Sequence, residues 1–254
     1  MAPGSRSTLI SVPGGGCETC ALARLCVPPG LDAEALGRLE RLIERPRPLG
    51  RGTVLVRSGQ RFDALLAVHS GAVKAYIPAA AGGGREQVID FRFPGDLIGL
   101  EAVSLGRHPY WVQALETTTV CRIPFEPLER LSEELPALRR QLLRLMSRTL
   151  AREEREILGM SKRGARQRLA AFLLDLARRF RERGYSSRSF RLAMSRSDIA
   201  AHLGLDTATV SRLFTAFRHE GLLAVERKDV RLQGLRRLAD LAGHVPSRPA
   251  PRVS

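Results

Sequence analysis

The spacing of apolar residues changes along the chain and predicts a β-rich first half and a helical second half. Between about residues 49 and 124, short apolar runs alternate with turn residues such as Ser58-Gly59 and Pro94-Gly95-Asp96. This pattern is typical of a small β-barrel, roll or sandwich. The predicted strands are 53–56, 64–68, 72–77, 87–93, 111–115 and 117–123. Upstream of them, Asp32 is predicted to cap a short amphipathic helix.

A single long helix is predicted from Pro136 to about residue 160, with two apolar stripes. The first stripe has the alternating 3 and 4 spacing of a coiled-coil seam. Its members are Leu143, Met146, Leu150, Glu153, Ile157 and Met160. The second stripe, on an adjacent face, consists of Leu138, Leu142, Leu145 and Thr149. The helix is either buried against its own β domain or, as we favour, packs one stripe there and pairs the other with a second subunit. Glu153 would then face its own copy, and like charges weaken association.

The segment from residue 195 to 214 has the pattern of a helix-turn-helix. Ser195 or Ser197 can cap a first helix, Ala200 is small enough for a close helix crossing, and Gly204 permits the tight turn. Leu205 is expected to be buried in that turn. An ordinary helical hairpin is the alternative, but the basic surroundings and a predicted β-hairpin at 222–232, a plausible wing, favour the DNA-binding motif.

The second helix of this motif is predicted to start at Asp206 or Thr207 and to present its outer face to the major groove. Its inward residues are predicted to be Val210, Leu213 and Phe217. The candidate DNA-contacting residues are Thr207, Ala208, Thr209, Ser211 and Arg212. Among them, Arg212 can donate two hydrogen bonds to a guanine.

Charge is concentrated in the last third of the chain. The net charge is +15, and residues 161–254 hold 20 Lys and Arg against 8 Asp and Glu, whereas residues 1–160 hold 21 against 18. A polyanionic partner, most simply DNA, explains this asymmetry, although an arginine-rich proteome is the competing explanation. No P-loop, Gly-x-Ser-x-Gly or His-Glu-x-x-His motif occurs, so no catalytic residues are assigned. Neither a membrane-helix pattern nor a signal-peptide pattern is present, and we expect a cytoplasmic protein.

Four cysteines stand at positions 17, 20, 26 and 121. Four thiolates can close a metal site, and disulfides are disfavoured because cytosolic thiols stay reduced. Structural zinc usually takes paired Cys-x2-Cys hairpins, whereas a loop of three ligands plus one remote ligand suits an iron–sulfur cluster. The spacing alone leaves both metals open.

Several motifs together resemble the CRP/FNR superfamily, and within it the fumarate–nitrate reduction regulators. The motifs are Cys17-x2-Cys20-x5-Cys26, Phe93 to Gly99, Gln113 to Thr117, Cys121 to Phe125, Arg168 to Phe172 and Leu203-Gly204-Leu205. The resemblance implies an α+β fold: an N-terminal double-stranded β-roll of the cyclic-nucleotide-binding jelly-roll type, a long dimerisation helix and a C-terminal winged helix-turn-helix. The expected divisions are a tail and cysteine loop (1–30), a β-roll sensor (31–135), the dimerisation helix (136–161), the DNA-binding domain (162–236, helix-turn-helix about 196–215) and a C-terminal helix and tail (237–254).

The resemblance also implies a sensing mechanism. Cys17, Cys20, Cys26 and Cys121 would ligate a [4Fe-4S] cluster that oxygen degrades to [2Fe-2S], and only the cluster-bearing form would dimerise and bind DNA. Leu25 would shield the cluster, while Leu150 and Ile157 would pack in the dimer seam. In relatives, an acidic residue at the position of Glu153 keeps the cluster-free protein monomeric.

The implied partners are double-stranded DNA with a pseudo-palindromic site, a second copy of the chain, and RNA polymerase through the loop 78–86 and the segment 181–190. Two alternatives differ in class: a constitutive DNA-binding protein with structural zinc, and a redox enzyme that uses a cluster for electron transfer. A redox enzyme would need a substrate pocket or a second cofactor motif, and the sequence contains neither.

Two departures from relatives change the expectation. The cyclic-nucleotide branch uses a Glu and an Arg-Ser pair after its Gly-Asp-x-x-Gly turn. Here Glu101 follows that turn, but the segment 106–111 has no Arg-Ser pair, so we expect no cyclic nucleotide. Close relatives carry a glutamate where this chain has Ala208. Alanine cannot accept from a cytosine amino group, so the usual TTGAT-type half-site is not assumed.

Overall fold

The fold is that of a computed structural model, which describes residues 16–18, 20, 22–26, 31–80, 84–160 and 164–243. The side chains of Arg24 and of residues 155–160 are not described, so the structure does not test the predicted seam positions Ile157 and Met160. Residues 1–15 of the N-terminal tail lie outside the described part of the chain. The chain divides into two compact units, residues 1–151 and 152–254.

The first unit begins with two short helices, α1 (Ala23–Cys26) and α2 (Ala33–Leu42). Asp32 caps α2 as predicted, because its carboxylate accepts a hydrogen bond of 2.7 Å from the Ala35 amide. Leu39 is buried and anchors α2 on the core.

Two antiparallel sheets follow, which confirms the prediction of a β-rich domain. Their strands are β1 (Val54–Val56), β2 (Ala64–Ser70), β3 (Val73–Ile77), β4 (Gln87–Arg92), β5 (Leu97–Ile98), β6 (Trp111–Ala114) and β7 (Thr119–Pro124). One sheet has the order β1-β6-β3-β4 and the other β5-β2-β7. A single turn of helix, α3 (Ala102–Leu105), lies between β5 and β6. The sequence patterns did not predict β5, because two residues cannot show an alternation.

The β-domain core consists of two apolar clusters. Val68, Val73 and Val112, all fully buried, belong to the first cluster. The second cluster joins strand β2 to α2 and to two further helices, α4 (Phe125–Glu134) and α5 (Pro136–Met160). Cys121 packs against this second cluster, so the remote cysteine is fixed by the same core that holds α5.

Helix α5 has one packed and one exposed apolar stripe. Leu138 is 3% exposed, and Leu142 and Leu145 are half-buried against the β domain, as predicted for the second stripe. The first stripe is solvent-exposed in the single chain. The exposed fractions are 61% for Leu143, 36% for Met146 and 59% for Leu150.

The second unit is a helix-turn-helix domain with a small sheet. Its elements are α6 (Ala165–Glu182), β8 (Ser189–Arg191), α7 (Arg196–Leu203), α8 (Thr207–His219), β9 (Leu223–Glu226), β10 (Asp229–Leu232) and α9 (Leu235–Leu241). The predicted hairpin is β9–β10. The expectation that the segment from 162 to 221 is entirely helical was wrong, because β8 adds a third strand to β10 with Phe190 opposite Val230. A three-residue strand with one buried side chain is too short to produce a recognisable pattern.

Two glycine turns provide a matched test of the β domain. Both Gly71 and Gly52 have positive φ, +80° and +84°, but a Cβ on Gly71 would lie 2.5 Å from the Thr117 carbonyl oxygen, whereas one on Gly52 meets nothing within 4 Å. Gly52→Ala should lower the free energy of unfolding by about 1–2 kcal/mol through the left-handed backbone alone. Gly71→Ala should lower it by about 3 kcal/mol or more, since the overlap adds to that strain. Equal losses in urea denaturation would contradict the described turn.

Candidate functional site

The four cysteines are brought into one region of the first unit. Cys17 and Cys20 precede α1, Cys26 ends it, and Cys121 lies in β7. All four are half-buried free thiols. Backbone hydrogen bonds from the Leu25 and Cys26 amides to the Leu22 carbonyl, 2.8 and 3.2 Å long, give the loop a local shape.

Burial and neighbouring acidic groups both raise the pKa of the Cys17 and Cys26 thiols. Burial raises the pKa of Cys26 to about 12, and repulsion from Cys20, Cys121 and Cys17 adds to the increase. Burial also raises the pKa of Cys17 to about 11, with Glu40 as the next cause. Without a bound cation these two thiols are therefore protonated at neutral pH, whereas a metal would favour their thiolates.

The donor set suits a soft metal, but the thiols do not form a closed single-ion site. Within the part of the chain that the structure describes, no group of three or more Cys, His, Asp or Glu side chains is arranged to hold one ion. Zinc holds thiolates at about 2.3 Å, which requires neighbouring sulfurs to be about 3.8 Å apart. Four cysteine thiols are also the donor set that an iron–sulfur cluster takes, so the chemistry of these side chains is compatible with a polynuclear centre.

An apolar cavity of about 50 Å³ adjoins the cysteines. Cys17 and Cys26 line it together with apolar residues from β2, β5, β7 and the helices, among them Leu138, Leu142 and Leu145 of α5. The packed stripe of α5 therefore forms part of the wall of the cysteine region.

Leu25 lies on the Pro94-Gly95-Asp96 turn. Gly95 has φ +89°, and a Cβ there would be 2.6 Å from the Leu25 Cδ1 atom. Only glycine therefore meets both the backbone conformation and the close approach of Leu25. The sequence marked these residues as a turn, and the structure shows in addition that the side chain of Leu25 packs on it.

Two helices, α7 and α8, form the predicted helix-turn-helix of the second unit. Ser195, and not Ser197, caps α7: its hydroxyl accepts from the Asp198 amide while the Asp198 carboxylate accepts from the Ser195 amide. Gly204 ends α7 with φ +64°, as its place in the turn requires. Leu205 is half-buried rather than fully buried, which corrects its prediction as the buried residue of the turn.

The outer face of α8 is largely exposed, as predicted. Thr207, Ala208, Ser211 and Arg212 are exposed, and Thr209 is half-buried. The Arg212 guanidinium donates to the Thr209 hydroxyl at 3.1 Å, and that hydroxyl donates to the Asp206 carboxylate at 2.7 Å. Hydrogen bonds from Thr209 also lower the pKa of Asp206. Arg212 is thus held near the N-terminal end of α8, where a recognition helix meets base edges.

The inward face of α8 differs from the prediction at one position. Val210 and Phe217 are fully buried as predicted, but Leu213 is only half-buried and Phe214, at 5% exposure, fills the interface. The guanidinium of Arg196 in α7 lies 3.3 Å from the ring centroid of Phe214. This cation–π contact orients the phenyl ring inward.

Arg168 fixes the turn of the motif from outside it. Its guanidinium, on α6, donates to the Leu203 carbonyl at 3.1 Å, one of the last carbonyls of α7. The sequence identified Arg168 only as part of a motif, because a contact across 35 residues leaves no periodic signal.

The interior of the β domain contains a buried ion pair. Arg92 and Asp90 of β4 are 3% and 4% exposed and their Nε and Oδ2 atoms are 2.9 Å apart. Burial raises the pKa of the nearby Tyr110, while Arg92 lowers it and Glu101 raises it further.

None of the helices in the described part of the chain combines the length and the hydrophobicity that spanning a lipid bilayer requires.

Each of the two units matches a known protein family. Residues 167–241 match the family model of a Crp-like helix-turn-helix domain, and residues 46–134 match that of a cyclic nucleotide-binding domain. The chain is 46% identical over 233 residues to the transcriptional activator protein Anr of Pseudomonas aeruginosa, covering 92% of this chain and 95% of that protein. It is 43% identical over 228 residues to the fumarate and nitrate reduction regulatory protein of Escherichia coli, covering 90% of each.

A solved structure gives the same result for the fold. FixK2 from Bradyrhizobium japonicum matches with a TM-score of 0.70 and 26% identity, covering 78% of this chain and 96% of that one. The relatives are transcription regulators and not enzymes. The chain therefore belongs to the CRP/FNR family and is a transcription regulator of the fumarate–nitrate reduction type.

Proposed function

We propose that this regulator is a cytoplasmic homodimer that binds DNA when a [4Fe-4S] cluster is held by Cys17, Cys20, Cys26 and Cys121, and that oxygen ends this state. The observation that carries the proposal is that Cys17 and Cys26 line a cavity together with α5, the helix that bears the exposed apolar stripe, while Cys121 packs on the same core. When bound, the cluster supplies bonds to the four thiolates and a centre that reacts with oxygen. The protein's own residues supply the rest of the mechanism.

The cysteine region would protect a bound cluster by shielding it from solvent and oxygen. Cys26 and Cys17 border a cavity whose other lining residues are almost all apolar. The Leu25 side chain packs on Gly95 and would hinder oxygen from reaching the cluster on that side of the loop. Metal thiolates rather than protonated thiols would then be the stable form, since a bound cation reverses the effect of burial on the thiol pKa.

Dimerisation would bury the exposed stripe of α5. Leu143, Met146 and Leu150 present apolar surface that a monomer leaves in water, and burial in a coiled-coil seam is favourable. Glu153, exposed on the same helix, opposes this association by meeting its copy. The two opposing effects make an interface that a few kcal/mol from the bound cluster can switch.

DNA would be read by the exposed face of α8, with Arg212 donating to guanine and Ser211 contacting a neighbouring base. Two-fold symmetry predicts half-sites one helical turn apart. RNA polymerase would contact the loop 78–86, of which residues 81–83 lie outside the described part, and the segment 181–190. We propose no cyclic nucleotide, since residues 106–111 lack the Arg-Ser pair that the cyclic-nucleotide branch uses.

Anaerobic purification with iron and sulfide assays and a visible spectrum tests the proposed cofactor. The proposal predicts a brown protein with about four iron and four sulfide per chain, bleached by air. A colourless protein with one zinc and the same spectrum in both atmospheres would overturn the sensing mechanism and leave a constitutive DNA-binding regulator.

Glu153→Ala should strengthen dimerisation in air. Removing the carboxylate ends the repulsion across the seam, so the dissociation constant of the air-exposed dimer should fall by about tenfold, equivalent to about 1.4 kcal/mol. Glu154→Ala is the matched control, because it removes the same charge from the next exposed residue of α5, off the seam. Sedimentation equilibrium that gives equal constants for both variants would contradict this role of Glu153.

Ala208→Glu should change the base preference of the regulator. A glutamate at this exposed position can accept from a cytosine amino group, whereas the alanine cannot, and one such pair contributes about 1–3 kcal/mol of discrimination. Selection from a random-site library should give a more degenerate position near the half-site centre for the natural protein than for the variant. Identical, sharply defined sites would contradict the expectation.

A further inference from the structure

Gln141 is a buried polar residue on the packed side of α5. Gln141 is only 4% exposed, whereas the two residues before it in the helix, Arg139 and Arg140, are exposed. Its amide Nε2 donates a hydrogen bond of 3.2 Å to the carbonyl oxygen of Leu25, 116 residues earlier in the chain. A buried amide of this kind has a defined partner because leaving it unpaired is costly.

The acceptor of this hydrogen bond belongs to the cysteine loop. Leu25 directly precedes Cys26, and its carbonyl is among the last of the four-residue helix α1, where carbonyls lack partners within the helix. The Leu25 side chain is seated on Gly95 at the same time. The residue beside a candidate ligand is therefore held by the β domain through its side chain and by α5 through its backbone.

Helix α5 connects this contact with the exposed stripe. Leu142 and Leu145, next to Gln141 on the packed side, line the cavity that Cys17 and Cys26 also line. Leu143 lies two residues beyond Gln141 and begins the exposed stripe. Because a helix moves as a rigid rod over such distances, a displacement of the Leu25 backbone transmitted through Gln141 would shift both faces together.

We propose that Gln141 is a positioning residue that couples the conformation of the cysteine loop to α5, and through α5 to dimerisation. The proposal rests on the proposed function for its second half, the link from α5 to the dimer. Gln141 itself ligates nothing. Its contribution is the directional hydrogen bond that it donates from the helix to the loop.

The test uses Gln141→Met, which keeps the length of the side chain and removes the donor, with Gln141→Leu as a second variant of different shape. Gln87→Met, at the exposed first position of β4, is the matched control. Hydrogen exchange of the peptide containing Leu25 and Cys26 is measured in the full-length, cluster-free protein. Both Gln141 variants should exchange there about fivefold faster than the natural protein and the control, within the range expected for one hydrogen bond.

The second readout is association of the full-length protein after anaerobic iron–sulfur reconstitution. The Gln141 variants should hold as much iron and sulfide as the natural protein, yet their dimer dissociation constant should be about fivefold higher, with no change in the cluster-free state. Unchanged exchange at Leu25 and Cys26, or an unchanged dimer constant at full iron content, would overturn the proposal. A natural protein that takes up no iron would instead refute the proposed function. The exchange experiment would then still test whether the hydrogen bond from Gln141 holds the Leu25 backbone.

Discussion

Cys26→Ser is expected to yield a folded protein that binds its operator no better without oxygen than the natural protein does in air. The serine hydroxyl cannot replace a thiolate ligand, so the variant should contain little iron after anaerobic purification. Its anaerobic DNA affinity should be about 100-fold lower than that of the natural protein, within the range of couplings of 1–3 kcal/mol. Fluorescence anisotropy with a labelled operator measures the affinity.

The air-exposed natural protein is the internal control for this variant. Both should have the same DNA affinity and the same sedimentation, because both lack the bound centre while keeping the fold. Cys26 is half-buried and the serine is smaller, so the urea midpoint should change little. Full anaerobic DNA affinity in an iron-free variant would show that the cysteines do not control DNA binding.

Arg212→Ala is expected to abolish specific binding in both atmospheres. The guanidinium is exposed at the N-terminal end of α8 and is oriented by Thr209 and Asp206. Loss of a bidentate guanine contact costs about 1–3 kcal/mol, and a dimer loses two such contacts, so operator affinity should fall by about 100-fold or more. Iron content and dimerisation should not change.

Arg218→Ala is the matched control, since Arg218 is also exposed on α8 but lies in the last turn of the helix. It removes the same charge and should weaken operator binding by less than about threefold, through phosphate attraction alone. Equal losses for the two variants would mean that Arg212 contributes only charge, and the proposed base contact would be wrong.

Local patterns predicted most of the secondary structure. Asp32 and Ser195 cap helices where the sequence placed caps, and the two stripes of α5 separate into packed and exposed faces. These features depend on residues within one or two turns of each other, and such spacing is visible in a sequence. The domain limits and the ligand assignment of the four cysteines stay predictions.

Contacts between distant segments were not predictable in the same way. Gln141 contacts the Leu25 carbonyl across 116 positions, and the Leu25 side chain packs on Gly95, 70 positions away. The available signal in the sequence was that Gln141, three residues after Leu138 and four before Leu145, is polar but falls on the apolar side of the helix. In α8, both Leu213 and Phe214 lie three or four residues from Val210 and from Phe217, so helical spacing alone did not decide which of them is buried.

The most direct test of the central claim is the operator affinity of one anaerobic preparation, measured before and after exposure to air while its iron and sulfide are assayed. An oxygen-responsive regulator loses DNA affinity in step with its cluster, and its sedimentation shifts from dimer toward monomer. Operator affinity and dimer content that stay constant while the cluster is lost would contradict the account.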